Sequence, residues 1–270
     1  RYSTLRVADI HRRRISAVPL PATPGLDEAM RQQALGALGG LVRGYRDLSW
    51  HEAFARIAGR PSAAYLPDDI FFALLLPTLN PAERTAILGD KNNFDRLEGL
   101  PQLPTTVGRL MNGRLLDPHY RMATAEDLTR YLPPESPLVV KPSRATGSET
   151  GVNFVEANRL AEALAGRSDA IIQLPVVQHR DIAVLNATSL NTLRIVTYRR
   201  LDGEVVHLGS LLRVGRAGVR VDNSAAGGLF CGIDAERGAL FADAFTSDFR
   251  VVQAHPDNGL LFGGRKVPSF

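Results

Sequence analysis

Lys141 closes an apolar run, Leu138-Val139-Val140-Lys141-Pro142. Burying an ammonium at the end of such a run is costly without a counter-charge, so the position calls for an anion. The stretch that follows, Ser143-Arg144-Ala145-Thr146-Gly147-Ser148-Glu149-Thr150-Gly151, is rich in small residues and carries two glycines. Backbone N–H groups in such a loop can turn toward phosphate oxygens. No Gly-Lys-Ser/Thr follows, so this is not a Walker A loop. A plain β-hairpin with a lysine snorkelling at its edge gives the same pattern. Asp90-Lys91-Asn92-Asn93 offers a second lysine, which a helical segment can project toward a site or leave on a solvated face.

Two arginines stand in mid-strand patterns. In Asn191-Thr192-Leu193-Arg194-Ile195-Val196-Thr197, alternation puts Thr192, Arg194 and Val196 on one face. Arg213 stands among Leu211, Leu212 and Val214. On paired strands the two guanidiniums could converge on a phosphate chain, whose oxygens match their forks; a pair of structural salt bridges is the alternative. Val221-Asp222-Asn223-Ser224-Ala225-Ala226-Gly227-Gly228 holds Asp222 and Asn223, which could touch phosphate or metal, or simply form a polar turn. His179, His207 and His255 are isolated in sequence, which argues against a zinc site. Without Gly-x-Ser-x-Gly there is no hydrolase elbow, and Cys231 reads as a small residue packed in a strand.

Composition agrees with a small-molecule protein. The 270 residues are 44% hydrophobic and 22% charged, with Gly 24 and Pro 17, which sets aside disorder, collagen and coiled coil. A net charge of +4 and a pI near 9.5 suit an anionic ligand but are too scattered to indicate nucleic acid. The densest basic run, Arg12-Arg13-Arg14, reads as the solvated end of a segment. One cysteine excludes a disulfide framework within the chain. The longest strongly apolar run, Ile70 to Leu76, is too short to span a bilayer, and a cytoplasmic location is expected.

Residues 1–85 read as mostly helical. Met30, Ala34, Leu38 and Leu41 give Asp27 to Val42 a helical period; Ser49 with Glu52 suggests a capping box; Asn80-Pro81 suggests another helix start. After Pro133-Pro134 strands dominate: Leu138 to Lys141, Gly151 to Val155, Ala170 to Leu174, Thr192 to Tyr198, Val205 to Val214 and Gly228 to Ile233. A helix is expected over Ala157 to Leu164, a short strand at Thr105-Thr106-Val107, and a hairpin turn at Asp202-Gly203. The expected class is α+β with a helical front end.

Taken in order, these pieces resemble the ATP-grasp superfamily, nearest to its sugar-transfer-associated group and more distantly the ligases that add glutamate to a ribosomal protein. The resemblance rests on Asp90-Lys91-Asn92, Pro104-Thr105-Thr106, Val140-Lys141-Pro142, Gly147 to Gly151 with Val152, and Ile171-Ile172-Gln173. It continues through Ser189-Leu190-Asn191-Thr192-Leu193-Arg194, Arg213-Val214-Gly215-Arg216, and Val221-Asp222-Asn223 with Gly227-Gly228. It implies a two-lobed α+β nucleotide cleft, with lobes over 86–175 and 176–270. By resemblance, Lys91 and Lys141 hold phosphates and the loop with Gly147, Ser148 and Gly151 closes over them. Gln173 lies at the hinge by the adenine, and Asn191 and Asn223 also bind ATP. Arg194 and Arg213 face the transferring phosphate and are the catalytic pair.

The implied activity is an ADP-forming carboxylate–amine ligase working through an acyl phosphate, with ATP and Mg2+. Small-molecule, peptide or sugar substrates of cell-surface polymers are expected, and nucleic acid is not. An ATP-grasp kinase and a non-catalytic nucleotide-binding scaffold are the alternatives. Two departures stand out. Glu149 and Thr150 occupy places where the family commonly has glycine. The family's magnesium ligands, an Asp and then a Glu-x-Asn, are expected beyond Phe270, leaving Asp222 as a weak candidate within the chain. A trimmed sequence, starting at Arg1 and stopping before those strands, is the expectation.

Overall fold

The computed structural model describes residues 2–97, 103–144, 151–220, 222 and 227–270. The chain divides into two units, Arg1–Thr85 and Ala86–Phe270.

The first unit is helical where it is regular: α1 Tyr2–Ser16, α2 Glu28–Leu41, α3 Ser49–Ala58, α4 Asp68–Ile70, α5 Leu76–Leu79 and α6 Ala82–Thr85. α2 starts where the period predicts, because the Asp27 side chain accepts the Met30 N–H at 2.8 Å. α3 corrects an expectation. Ser49 is not its cap: Leu48 holds that place, and Asp47 Oδ1 accepts the Ser49 N–H at 2.9 Å. Glu52, free of the capping box, pairs with Arg31 and Arg56 instead. Between α4 and α5 the helix widens into a π turn, Phe71–Leu75, with Leu76 N–H bonded to Phe71 O. Pro77 explains the widening, since its ring would meet the carbonyl four residues back in a regular helix. The basic run is also more than a solvated end. Arg12 Nε donates to buried Asp69 at 2.9 Å, where the Tyr45 hydroxyl also donates at 2.9 Å. Burial and the Asp69 carboxylate together push the Tyr45 pKa up.

The second unit holds two five-stranded antiparallel sheets. The first takes β1 Thr106–Met111, β2 Arg114–Leu116, β3 Pro137–Lys141, β4 Asn153–Glu156 and β5 Ala170–Gln173, in the order β2-β1-β5-β3-β4. The turn Asn112-Gly113, with φ of 49° and 75°, joins β1 to β2 and makes β1 longer than the predicted Thr105–Val107. Leu138 and Val140 of β3 point into a core with Leu110, Leu160 and Ile172. Pro137, Val139 and Lys141 take the opposite face. A short helix, α7 Ala125–Thr129, precedes β3, and the predicted helix after β4 is a 3₁₀ turn, Ala157–Arg159, leading into α8, Leu160–Leu164.

After α9, Arg180–Ala183, the second sheet takes β6 Thr192–Arg199, β7 Val205–Val214, β8 Leu229–Asp234, β9 Ala239–Phe245 and β10 Val251–Val252. Its order is β10-β9-β8-β7-β6. The β6–β7 hairpin turns through Arg200 to Glu204, where Gly203 N–H bonds Arg200 O at 3.0 Å. Leu212, Val214, Leu229, Cys231, Leu240 and Phe262 form this sheet's core. Strands β9 and β10 were not expected from sequence. Mixed helix and antiparallel sheet agree with the α+β class.

Candidate functional site

β3 carries Lys141 to the rim of a cavity because its alternation is fixed by the core. With Leu138 and Val140 fully buried on one face, Lys141 must emerge on the other. There, among the described residues, its ammonium has no hydrogen bond and no ion pair. Burial lowers the Lys141 pKa, and the nearby charge of Lys91 lowers it further. Lys91 arrives on a 3₁₀ turn, Lys91–Arg96, whose first turn is capped by Asp90 accepting the Asn92 N–H at 3.1 Å. Lys91 Nζ donates to the carbonyls of Pro142 and Ser143, each at 3.2 Å. Burial lowers its pKa as well, with Asp90 opposing. Two half-buried ammonium groups thus face one space, and among the described residues no carboxylate is bound to either.

Two pockets share Lys141, Gln173 and Pro104. Lys91, Lys141, Gln173, Phe94 and Asp95 line a pocket of about 190 Å³. Lys141 and Gln173 also line a larger cavity of about 880 Å³. Its lining comes from both sheets' surroundings: Val139 and Phe154 of the first sheet, Leu174 to Gln178 after β5, and Thr188, Ser189, Leu190, Gly218 and Arg220. The lining is mostly apolar, and among the described residues its charged members are Lys141 and Arg220, with no carboxylate. A flat apolar body with an anionic tail fits such a lining. Gln173 sits at the end of β5, buried, with its Nε2 donating to Pro104 O at 3.3 Å.

The other sequence-selected residues distribute unevenly. Gly151 has φ of 86°, and a Cβ there would stand 3.1 Å from Pro142 Cγ, so the chain returns toward β3 only with glycine. Gly147, Ser148 and Asn223 lie outside the described residues. Asn191 is buried and its amide is committed within the fold. Its Nδ2 donates to Gln178 Oε1, Ile182 O and Asn186 O, and its Oδ1 accepts the Gly215 N–H. It braces the loop whose Ser189 and Leu190 line the cavity rather than lining it itself.

Arg194 and Arg213 do share a sheet face. Thr192 pairs with Arg213 and Arg194 with Leu211, so the two arginines are diagonal neighbours on the face away from the core. Arg194 is exposed. Arg213 pairs with buried Asp222 at 3.1 Å, and the Thr192 hydroxyl donates to the same carboxylate. Asp222 is therefore committed to a cation and a hydroxyl. Among the described residues no group of three His, Cys, Asp or Glu could hold a metal ion. Cys231 is fully buried in β8, and burial pushes its thiol up to about 12.

Two residues escaped the sequence reading. Arg109 is buried beneath the Lys91 turn, donating to Asn92 O at 3.1 Å and Pro118 O at 2.7 Å and pairing with Asp95, with the Tyr120 ring 4.1 Å away. Arg220 hangs over Phe154 at the cavity wall. A compositional signal marks the site more simply. The chain has three lysines among 32 basic residues, and two of the three, Lys91 and Lys141, face this one space. Arginine is this chain's ordinary cation, so a lysine marks a place where a compact, single-point charge is required.

No curated protein and no solved structure matches the chain. A family model does, over residues 160–270, less than half of the chain. The matched stretch runs from α8 through Gln173, Arg194, Arg213 and Asp222 to the end of the second sheet, and leaves out both cavity lysines. It is the model of sugar-transfer associated ATP-grasp, and over that stretch the chain's resemblance to the ATP-grasp superfamily is shown.

Proposed function

We propose that the chain binds ATP in the 880 Å³ cavity and uses it to join a carboxylate to an amine through an acyl phosphate. One observation carries the reading: Lys91 and Lys141 line one small pocket that shares Lys141 and Gln173 with the larger cavity, and among the described residues no carboxylate is bound to either ammonium. A polyphosphate supplies the missing charge. The apolar lining from Leu174 to Val177 suits a purine ring, and Gln173, which lines both pockets beside Lys141, is assigned to the junction of ring and phosphates. The family match supports ATP-dependent, ligase-type chemistry independently of the lysines.

In the proposed reaction a carboxylate oxygen attacks the γ-phosphorus, and the bond to the β-phosphate oxygen breaks, releasing ADP. An amine nitrogen then attacks the acyl carbon, and inorganic phosphate leaves as the amide forms. No protein nucleophile is required. The chain's role is to hold charge in place as it moves onto the bridging and leaving oxygens. Lys141 and Lys91 take that role toward the nucleotide's own phosphates. Arg194, on the exposed face of β6, is assigned to the transferring phosphoryl group. Arg213 is already balanced by Asp222 and is assigned to orienting that face. The described residues do not fit a magnesium site, since Asp222 is engaged, and the steps proposed use only the chain's own cations.

Substrates of sugar-polymer or peptide modification and a cytoplasmic location belong to the same reading. Among the described residues no helix is long and apolar enough to cross a membrane. The test is product analysis with ATP and pooled carboxylates and amines, including uronic acids, amino sugars and amino acids. ADP and phosphate should appear in equal amounts, and only when both a carboxylate and an amine are present. ADP without free phosphate, alongside an acceptor heavier by one phosphoryl group, would replace the ligase with a kinase.

A further inference from the structure

Arg220 stands at the wall of the cavity. Among the described residues its guanidinium makes no ion pair and no hydrogen bond, and its recorded contact is the Phe154 ring, whose centroid lies 5.0 Å from Cζ. Phe154 is opposite Val139 in the β3–β4 pair, so it shares the sheet face from which Lys141 emerges, one diagonal step away. Among the described residues Arg220 and Lys141 are the two cations lining the 880 Å³ cavity, Lys141 from the end of β3 and Arg220 from the loop after β7.

The stack has a chemical consequence. An arginine lying on an aromatic ring uses its flat face and leaves the N–H edge unengaged. That edge is a fork suited to two oxygens of one phosphate. Elsewhere in this unit arginines near the site are engaged: Arg109 by Asp95 and three carbonyls, Arg167 by the carbonyls of Ala163 and Gly151, and Arg144 through Nε by Asp90. Among the described residues Arg220 is the one held on a ring with all its donors open.

We propose that Arg220, fixed by Phe154, is a second anion-binding residue of the cavity and takes the phosphate end of the nucleotide together with Lys141. The inference rests on the ATP reading and adds to it a residue whose fork sets preference for charged over uncharged ligands. Lysine would not replace it, because an ammonium has neither the flat face for Phe154 nor the two-pronged edge.

The experiment is calorimetric titration of the full chain with ATP and with adenosine, for wild type, Arg220→Gln, Arg220→Lys and Phe154→Leu. Arg220 is exposed, so its variants should fold, and a thermal melt checks this. Arg220→Gln should weaken ATP about tenfold, the size of one lost charge-assisted contact, and leave adenosine unchanged. Arg220→Lys should recover less than half of that loss, and Phe154→Leu should weaken ATP about threefold with the charge still present. Equal ATP affinity in wild type and Arg220→Gln would overturn the inference while leaving the ATP reading intact. Equal losses for ATP and adenosine would also overturn it, making Arg220 a wall rather than a ligand. Wild type that binds neither would overturn both.

Discussion

Lys141 shows how one side chain can weaken a fold and equip it at once. Its ammonium is half-buried with no anion, so the apoprotein carries a desolvation cost that a bound polyphosphate relieves. Lys141→Met should therefore raise the melting temperature of the apoprotein by about 2–4 °C, the equivalent of about 1 kcal/mol. The same variant should lose the ATP-induced stabilisation, which for ligand at a hundred times Kd is about 2.7 kcal/mol. A melt with and without ATP checks both halves. The pH dependence follows from the direction of the shift. Folded Lys141 releases its proton below the ordinary value of 10.5, so between its folded value and 10.5 the unfolded chain binds more protons. Stability attributable to this residue rises with pH across that window, and below it the cost is fully present. The gain from Lys141→Met in urea unfolding should therefore be larger at pH 7 than at pH 10. Arg194 tests the chemistry instead. Arg194→Ala should lower kcat about 100-fold or more with ATP affinity nearly unchanged, as expected of a group that meets charge only as it transfers. At this scale Lys141 was legible because an apolar run ending in lysine states its own problem. Asn191 was not, since only the folded path of the segment from Gln178 to Asn186 and the return of Gly215 bring its four partners around one amide.

Lys91 depends on an element too short to hold itself. The six-residue 3₁₀ turn is fastened by Arg109, reaching up from β1 to Asn92 O and Asp95. Asp95→Asn leaves the buried guanidinium short of its charge partner and should destabilise the chain by about 1–3 kcal/mol, read from urea unfolding. It should also weaken ATP binding, because the turn is what aims Lys91. Strand alternation in β3 and β7 could be read directly from apolar spacing. The β1–β2 hairpin could have been read too, since Asn-Gly between Met111 and Arg114 is a hairpin turn signal that the Pro-rich approach concealed. The capping of α3 could not, because Asp47 takes the Ser49 N–H and draws Ser49 into the first turn, which only the path of the incoming chain decides.

For the whole molecule, every residue assigned to the cavity lies in the unit Ala86–Phe270. Residues 86–270 expressed alone should bind ATP within about threefold of the full chain, a difference of under 1 kcal/mol; the same titration checks it. The α+β class could be anticipated because helical and two-residue periods segregate along the chain. The second sheet's last strands could not, because β9 alternates only weakly and is settled by packing of Ala239, Leu240 and Ala244 on its neighbours. The scarcity of lysine has a practical corollary. With three ε-amines in 270 residues, the protein is nearly blank to acylating reagents. Lys266 is exposed, its Nζ held by Arg237 O at 2.7 Å, while the two cavity amines have the lowered basicity that makes a lysine nucleophilic. A mild acylating label would therefore mark the cavity itself, and its exclusion by a candidate ligand could be weighed in a mass spectrometer before either substrate has a name.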